Sequence, residues 1–479
     1  MGRAFAALIT VLVFALGCSR SAGVERVRRI VYWEKWTSFE GEAMDRVVDD
    51  FNAAERAHAK SEPTYVPIEV KKVTVTAIEQ KLLVAIAGGN PPDVAGIYSF
   101  MLAAYANKGA LLDLSPYVEK AGIKRSDYIE NFYDLGVYRG KVWALPTMPA
   151  TIALHWNKRL FREAGLDPES APKTIEELDA FAEKTTKWEV TLPSGEKKIA
   201  TGYLPNVPMS QKRLIQVGFL PQEPGWWAHG WGYFFGGKLV ESASKVTTAT
   251  AENVRAYEWV ASYSRKIGVD AVKRFRSGFG NFSSPQNPFL SGKIAMQLQG
   301  VWMYNFIDKY SPGMQWGAAA FPHPADRPDL ANVTNAEADM LVMPKDSKHR
   351  EEAFAFIRYV SSQKPLEKLA LGQRKFSPLR EVSEEFWQKH PHPYIRLFQR
   401  LGQSPNAWSV PKSGVWNEYL REMVNGVDLI QNLTQAPGPS LNQVELRIQA
   451  SLDRDRMITS RREGTRASVE VETARSAAQ

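Results

Sequence analysis

The chain contains 479 residues, and its lysines and arginines outnumber its aspartates and glutamates by 60 to 52. This excess is small for so long a chain, and no basic stripe interleaved with aromatic residues accompanies it, which argues against a nucleic-acid partner. A chain of this length is expected to form roughly three units of about 150 residues or two larger lobes, and either arrangement can bury a sizeable core.

Residues 1–17 have the pattern of a secretory signal peptide. Arg3 precedes an apolar run over residues 4–16, and this run is too short to cross a bilayer as a helix of about 20 residues. Cys18 is the single cysteine of the chain. Its setting after Gly17 resembles the lipobox of bacterial lipoproteins, in which the cysteine is lipidated and anchors the mature protein to the membrane.

The alternative to a lipid anchor is a freely secreted protein in which Cys18 is incidental, because Ala15 stands where the lipobox usually has leucine. In either case the mature chain forms no internal disulfide, so packing has to stabilise the fold. Residues 18–29 are polar and basic, and we expect them to form a tether between the anchor and the folded body.

Strands and helices are predicted to alternate from Ile30 onward. The run IVYW predicts a buried strand over residues 30–33, and strands are also predicted over 66–75 and 93–98. Between them, apolar residues recur at helical spacing, and the second helix is predicted to end at Gly88 and Gly89. This alternation predicts a mainly parallel sheet with right-handed crossovers.

The middle of the chain begins with an interruption of this alternation. Two prolines in GKVWALPTMP, residues 140–149, predict a crossing between lobes before a strand over 152–156. Thr174 and Glu177 then form a capping box, T-x-x-E, which predicts the start of a helix. Residues 221–231 form a loop with three tryptophans, which is unusual for a loop exposed to water.

The segment FLSGKIAMQLQGVW, residues 289–302, predicts a helix end, a strand and a second helix start. Gly292 stands where a left-handed C-cap is expected, and apolar residues alternate over 294–298 as in a half-buried strand. Gly300 ends that strand, so Trp302 lies just beyond it, where open α/β sheets bind ligands. The alternative is that Trp302 packs in the core at a helix start.

The last third of the chain returns to a strand and helix unit. Prolines after residues 316–321 predict a second crossing, and residues 339–343 predict a strand followed by a helix. A later helix is predicted to end at Gly426, and Ser440 with Gln443 to cap another. Beyond residue 454 apolar residues become sparse, so we expect residues 455–479 to be a disordered polar tail.

Several motifs in this order resemble the extracellular solute-binding proteins of bacterial ABC importers, specifically the family-1 group that takes up sugars. The resemblance extends from about Ile30 to Leu452, and the motifs that carry it are IVYWEKW, GGNPPDV, GKVWALP, FLSGKIAMQLQGVW and MLVMPKDSKHREEAFAFIRYV. It implies an α/β protein with the two-lobed type II periplasmic-binding-protein fold, in which each lobe is a mainly parallel sheet flanked by helices.

The resemblance also implies a hinge with several crossings between the lobes. We expect crossings near residues 145–152 and 318–324, and a third near 365–380. The predicted N-lobe therefore comprises residues 30–147 and 322–372, and the predicted C-lobe comprises residues 152–318 and 380–454.

The function implied by the resemblance is the capture of a sugar or oligosaccharide between the lobes and its delivery to the membrane permease of an ABC importer. We expect a monomer that works outside the cytoplasmic membrane with no cofactor, no metal and no catalytic activity. The motifs G-x-S-x-G, H-E-x-x-H and G-x-x-x-x-G-K-[ST] do not occur in the sequence. The alternatives are a binder of a phosphate ester, such as a glycerol phosphodiester, and an exported carbohydrate-active enzyme.

Sugar binding requires aromatic rings for the apolar faces of the sugar and planar polar groups for its hydroxyls. Trp302 matches the stacking tryptophan of the family, and Trp416 lies where a second ring often enters. Trp226, Trp227 and Trp231 occupy a loop in which the family also has aromatic residues. For all five tryptophans, packing in the core is the alternative.

Polar candidates come from the ends of predicted strands and from one departure from the family pattern. Glu337 stands where the family commonly has a glycine pair, so it is a candidate to bind a hydroxyl or a cationic group. Arg380 is a candidate donor from the third crossing, although a solvated arginine is the alternative. The candidates that follow the first and third predicted strands are Trp36, Ser38, Glu40, Tyr98 and Ser99.

Overall fold

A computed structural model of the protein describes residues 26–280 and 282–477, with the side chains of these residues up to 461. The predicted signal peptide, Cys18 and most of the predicted tether lie outside the described residues. Within the described ranges, no helix is both long enough and apolar enough to cross a membrane.

The strands belong to one large mixed sheet and several small ones. In chain order they are β1 (Arg28–Glu34), β2 (Ile68–Thr74), β3 (Val94–Tyr98), β4 (Val137–Tyr138), β5 (Lys141–Val142), β6 (Ala144–Asn157), β7 (Lys187–Thr191), β8 (Lys197–Thr201), β9 (Lys212–Gln216), β10 (Val240–Ser242), β11 (Lys245–Val246), β12 (Met296–Gly300), β13 (Trp316–Ala319), β14 (Thr334–Val342) and β15 (Ala407–Trp408). The large sheet has the order β12-β6-β14-β3-β1-β2, with β13 also paired to β6 and β15 to β14.

Helices cover the sheet and form the carboxyl-terminal part of the chain. In chain order they are α1 (Ser38–Ser61), α2 (Ile78–Ala87), α3 (Leu102–Asn107), α4 (Ser115–Lys120), α5 (Glu130–Leu135), α6 (Lys158–Glu163), α7 (Ile175–Thr185), α8 (Ala251–Ile267), α9 (Val269–Arg276), α10 (Met303–Tyr310), α11 (Arg350–Val360), α12 (Gln363–Gln373), α13 (Glu384–Lys389), α14 (Ile395–Gly402), α15 (Trp416–Gln431) and α16 (Pro437–Ala477). A short 3-10 helix spans Ala228–Phe235.

The parallel sheet predicted near the start of the chain is present in β1, β2 and β3. β1 lies between the other two and pairs with both in parallel. The helices α1 and α2 make the crossovers, as the alternation of elements predicts. Inward residues of α1, such as Met44 and Val47, pack in the core with Phe356 of α11.

Beyond β3 the strand pairs of the large sheet are antiparallel except for the parallel pair of β14 and β15, so the sheet is mixed rather than mainly parallel as predicted. β14 pairs antiparallel with β3 and β6, and β6 pairs antiparallel with β12 and β13. The alternation of apolar residues identifies a strand but does not determine the direction of its neighbour, which is why the sequence did not reveal this change.

β6 is a continuous strand of 14 residues, although the sequence predicts a break at its prolines. Pro146 and Pro149 lie opposite Met340 and Ala338 of β14, where the register shifts between these two residues. Because proline donates no backbone hydrogen bond, such an irregularity lets it remain inside a sheet. The first half of β6 pairs with β14 and the second half with β12 and β13, so β6 joins two parts of the fold.

The carboxyl-terminal helices differ from the prediction at three places. α15 continues through Gly426, where an added Cβ would lie 2.9 Å from Cγ2 of Val444 on α16. Ser440 lies inside α16 rather than at its cap, and its hydroxyl donates a 2.9 Å hydrogen bond to the Gly426 carbonyl. α16 continues to Ala477, in contrast to the disordered tail expected from residue 455. The predicted lobe boundaries stay a prediction.

Candidate functional site

One cavity collects most of the predicted site residues. It encloses about 380 Å³ and lies between the elements around β1, α1 and β14 on one side and those around β12 and α10 on the other. Its lining is mainly aromatic, with three carboxyl groups, one amide, one ammonium group and a few small or aliphatic side chains, and the residues are Trp36, Phe39, Glu40, Tyr98, Phe100, Met148, Ala150, Trp226, Trp227, Phe282, Trp302, Phe306, Asn335, Glu337, Ala338, Asp339 and Lys375.

The aromatic wall of the cavity consists of Trp226, Trp227, Phe282 and Trp302. Trp302 directly precedes α10 and follows β12 by two residues, as the sequence predicts. Its ring lies 6.2 Å from the ring of Trp227 at an interplanar angle of 23°, and 6.2 Å from that of Trp226 at 44°. These rings present a nearly continuous apolar surface to the cavity.

Gly300 provides the space in which the Trp302 ring lies. A Cβ added to Gly300 would be only 2.3 Å from Cη2 of Trp302, far closer than two carbon atoms can approach without repulsion. The glycine that ends β12 therefore also sets the orientation of the ring that follows it.

The charged wall of the cavity consists of Trp36, Glu40, Asp339 and Lys375. Lys375 forms a 2.8 Å ion pair with Glu40 of α1, and its side chain is only 4% exposed. The indole nitrogen of Trp36 donates a 2.9 Å hydrogen bond to Asp339. Because the one polar atom of this indole is already bonded, Trp36 offers a ligand mainly the face or edge of its ring.

Lys35 lies behind the charged wall and holds the Asp339 carboxylate in place through an ion pair. Its ammonium group is 2.8 Å from Asp339 Oδ1 and 3.8 Å from Glu34 Oε1. Burial by itself lowers the pKa of Lys35, but attraction to Asp339 and Glu34 outweighs this effect and raises its pKa. Lys35 and Lys375 each lie 5.0 Å from the centroid of the Trp36 ring, within the range of a cation–π contact.

Glu337 is the carboxyl group of the cavity that has an uncommitted oxygen. The Ser99 hydroxyl donates to Oε2 of Glu337, whereas the buried Oε1 has no hydrogen-bond partner among the described residues. Burial raises the pKa of Glu337, and the nearby polar groups of Ser99, Asn335 and the Val410 backbone only partly offset this effect. An unpaired buried oxygen costs free energy, so a ligand hydroxyl at this position would be stabilising.

Four of the predicted site residues lie away from the cavity, and a fifth lies behind it. Trp231 and Trp416 are each 2% exposed and pack among core aromatic rings, so their prediction as ligand contacts is not supported. Arg380 lies on the surface and forms a 3.1 Å ion pair with Glu130, and Ser38 is exposed at the start of α1. Ser99 lies behind the cavity wall, where its hydroxyl donates a hydrogen bond to the Glu337 carboxyl group.

Asp339, Asn335 and Lys375 line the cavity but were missed by the sequence analysis. Because side chains alternate along a strand, Asn335, Glu337 and Asp339 lie on one face of β14. That period of two, starting from the candidate Glu337, was the available signal. Lys375 follows α12 and has no comparable local signal, since only the tertiary fold brings it to Glu40.

Comparison with known proteins identifies the family. A sequence model of bacterial extracellular solute-binding proteins matches residues 46–394, which is well over half of the chain. The chain belongs to this family. The prediction made from the sequence motifs is therefore confirmed.

Two relatives illustrate the range of solutes bound within the family. The arabinooligosaccharide-binding protein of Bacillus subtilis is 25% identical over 322 residues, which cover 66% of this chain and 66% of that protein. The sn-glycerol-3-phosphate-binding periplasmic protein of Escherichia coli is 29% identical over 182 residues, which cover 36% of this chain and 39% of that protein. This solute-binding protein thus matches the arabinooligosaccharide-binding protein over a larger share of both chains than it matches the glycerol-3-phosphate-binding protein.

Solved structures confirm the two-lobed α/β fold. The protein CpMnBP1 with mannotriose bound matches with a TM-score of 0.70 and 26% identity, covering 89% of this chain and 100% of that one. The sugar-binding protein MalE from Xanthomonas citri matches with a TM-score of 0.69 and 20% identity, and the match covers 90% of this chain and 99% of that one. At 20% identity the second match supports the fold alone.

Proposed function

We propose that this protein captures a sugar or oligosaccharide in the cavity between the aromatic wall and the charged wall and delivers it to the permease of an ABC importer. The observation that carries the proposal is the composition of that cavity, with a cluster of aromatic rings on one side and carboxyl and ammonium groups beside Trp36 on the other. A sugar has apolar C–H faces and a rim of hydroxyls, and the two walls match these two kinds of surface.

Ligand capture depends on the two walls coming from different parts of the fold. A sugar that contacts Trp302 on one side and Glu40 or Asp339 on the other has more contacts when the walls are close together. It therefore shifts the protein toward a closed form by the difference in binding free energy. In this proposal the permease recognises the closed form, and the protein is a monomer attached to the membrane through a lipid on Cys18.

A phosphate ester is the alternative solute, and the charge of the cavity argues against it. Three carboxyl groups, those of Glu40, Glu337 and Asp339, line the cavity together with one ammonium group, Lys375. That ammonium group is already paired with Glu40 at 2.8 Å. A phosphate dianion needs unpaired arginine, lysine or backbone donors, so a neutral sugar fits the lining better.

Catalysis of glycoside cleavage is the second alternative, and it requires one carboxylic acid and one carboxylate flanking the substrate. Glu40 and Asp339 are both bonded to lysine ammonium groups. A nucleophilic or basic role would require either carboxyl group to leave its ion pair. Only Glu337, whose pKa is raised by burial, has the character of an acid.

Calorimetric titration of the purified protein with mono-, di- and trisaccharides and with glycerol 3-phosphate tests the proposal. We expect saccharides to bind and to raise the melting temperature, with stabilisation of about 2.7 kcal/mol at a hundredfold excess over Kd. Trp302→Ala should weaken saccharide binding about tenfold or more, because buried aromatic contacts contribute about 2 kcal/mol when they are central to an interface.

The matched control is Trp387→Ala, since Trp387 is a half-buried tryptophan outside the cavity. This variant should retain the affinity of the wild type. Binding of glycerol 3-phosphate without binding of any saccharide would overturn the sugar assignment. Release of a free sugar from a glycoside would show catalysis instead.

A further inference from the structure

A second cavity adjoins the first. It encloses about 440 Å³, and its polar lining includes Glu223, Arg276 and Gln297. Trp226 and Phe282 line both cavities. These two aromatic side chains form a partition between the two spaces.

Trp226 is the exposed part of this partition. It is 47% exposed, whereas Trp227 beside it is 7% exposed. The Trp226 ring lies 4.5 Å from the ring of Phe282 at an angle of 67°. An indole that is half exposed contributes little to core packing. It offers an apolar surface to a ligand that extends past it.

The second cavity supplies hydrogen-bonding groups of both kinds. Arg276 Nε donates to Glu223 at 2.5 Å, and Arg276 Nη2 donates to the Gln222 carbonyl at 3.1 Å. The side chain of Gln297 on β12 is buried, and its Nε2 has no hydrogen-bond partner among the described residues. A buried amide donor without a partner costs free energy that a hydroxyl of a ligand would recover.

We infer that the second cavity extends the sugar site past Trp226 and takes a further unit of a neutral oligosaccharide, so that the protein prefers oligosaccharides to monosaccharides. This inference rests on the proposed function. The paired charges of Glu223 and Arg276 leave no net charge for an ionic ligand, yet they offer both donors and acceptors to hydroxyls. A chain of sugar units can place one unit in each cavity and the linkage over Trp226.

Titration with two series of increasing length tests the inference on the full-length protein: mannose, mannobiose and mannotriose, and glucose, maltose and maltotriose. In at least one series the affinity should rise with length. In that series Arg276→Ala should lower the ratio of trisaccharide to monosaccharide affinity about tenfold, which is the effect of losing a hydrogen bond to a charged group. Gln297→Leu should lower the same ratio.

Arg274→Ala is the matched control, because Arg274 is exposed on the same helix, α9, and does not line the second cavity. Its affinity ratio should equal that of the wild type. Melting temperatures show whether the variant at the buried residue, Gln297→Leu, is folded. If it is unfolded, the affinity ratio of the variant at the exposed residue, Arg276→Ala, decides the test. Equal affinities along both series, or an unchanged ratio in Arg276→Ala, would overturn the inference while leaving the proposed function intact. If no saccharide binds, both fail.

Discussion

Gly300 and Trp302 form a pair in which the smaller residue positions the larger one. The indole lies over the glycine, where a Cβ would meet its ring at 2.3 Å. We predict that Gly300→Ala tilts the indole away from Trp227 and weakens saccharide binding by about tenfold, because a displacement of about 1 Å is enough to lose a stacked contact. Calorimetric titration of the variant with the tightest-binding saccharide measures this effect.

Gly313→Ala is the control for this substitution. An added Cβ at Gly313 meets no atom within 4 Å, so the affinity of this variant should remain that of the wild type. If Gly300→Ala also binds like the wild type, the ring can move without loss and Gly300 has no role in positioning it.

The sequence predicted several residues that line the cavity, but it did not separate them from tryptophans that pack in the core. Trp36, Tyr98, Trp302 and Glu337 all lie in the cavity wall, and each follows a strand end or departs from the family pattern. Trp231 belongs to the same tryptophan-rich loop as Trp226 and Trp227, yet it packs in the core and does not line the cavity. Tryptophan is both a large core residue and a sugar-stacking residue, so only the tertiary structure separates the two roles.

At the level of elements, local signals predicted most helices and strands, and tertiary contacts account for the differences. α8 spans Ala251–Ile267 because the Thr250 hydroxyl accepts a hydrogen bond from the backbone N–H of Asn253 and apolar residues recur at helical spacing. Gly426 looks like a helix end in sequence, since glycine is common there. In the structure it remains inside α15 because α16 packs too closely for a side chain, and no local pattern contains that information.

The close contact of α15 and α16 leads to a prediction about Gly426. Leucine has a much higher helix propensity than glycine, so Gly426→Leu should stabilise α15 if packing did not matter. We predict the opposite, a loss of about 1–3 kcal/mol from overpacking against Val444, together with loss of the hydrogen bond from Ser440. Urea unfolding followed by circular dichroism measures the free energy of unfolding.

Val424→Leu is the control on the same helix, because Val424 is 39% exposed. Its free energy of unfolding should stay within about 0.5 kcal/mol of the wild type. An equal or higher stability of Gly426→Leu would mean that α15 and α16 can separate slightly at little cost.

At the scale of the whole molecule, the proposed binding site forms only when distant parts of the chain are folded together. The hydrogen bond between Trp36 and Asp339 and the ion pair between Glu40 and Lys375 join residues more than 300 positions apart. Removing one partner of a buried ion pair such as Glu40 and Lys375 costs about 3–5 kcal/mol. Conditions that destabilise the fold as a whole are therefore expected to weaken binding as well.

Acid is such a condition, because buried histidines resist protonation. His229 is packed against the rings of Trp408 and Trp416, and burial lowers its pKa to about 4, compared with about 6.5 for an unfolded chain. As the pH falls from about 6.5 toward 4, the unfolded state binds a proton that the folded state does not, so stability is lost. The contribution of this histidine is roughly 3 kcal/mol at most. Burial also lowers the pKa of His155 to about 4, so it acts in the same direction.

We therefore predict that His229→Phe reduces the loss of stability in acid. Phenylalanine has a similar size and no ionisable group, so the variant should melt near the wild-type temperature at pH 8 and above it at pH 4.5. Calorimetric melting at intervals between these pH values measures the difference, which should grow as the pH decreases. His349→Phe replaces an exposed histidine and should follow the wild-type curve throughout. Parallel curves for His229→Phe and the wild type would mean that the buried imidazole takes up its proton without loss of the fold.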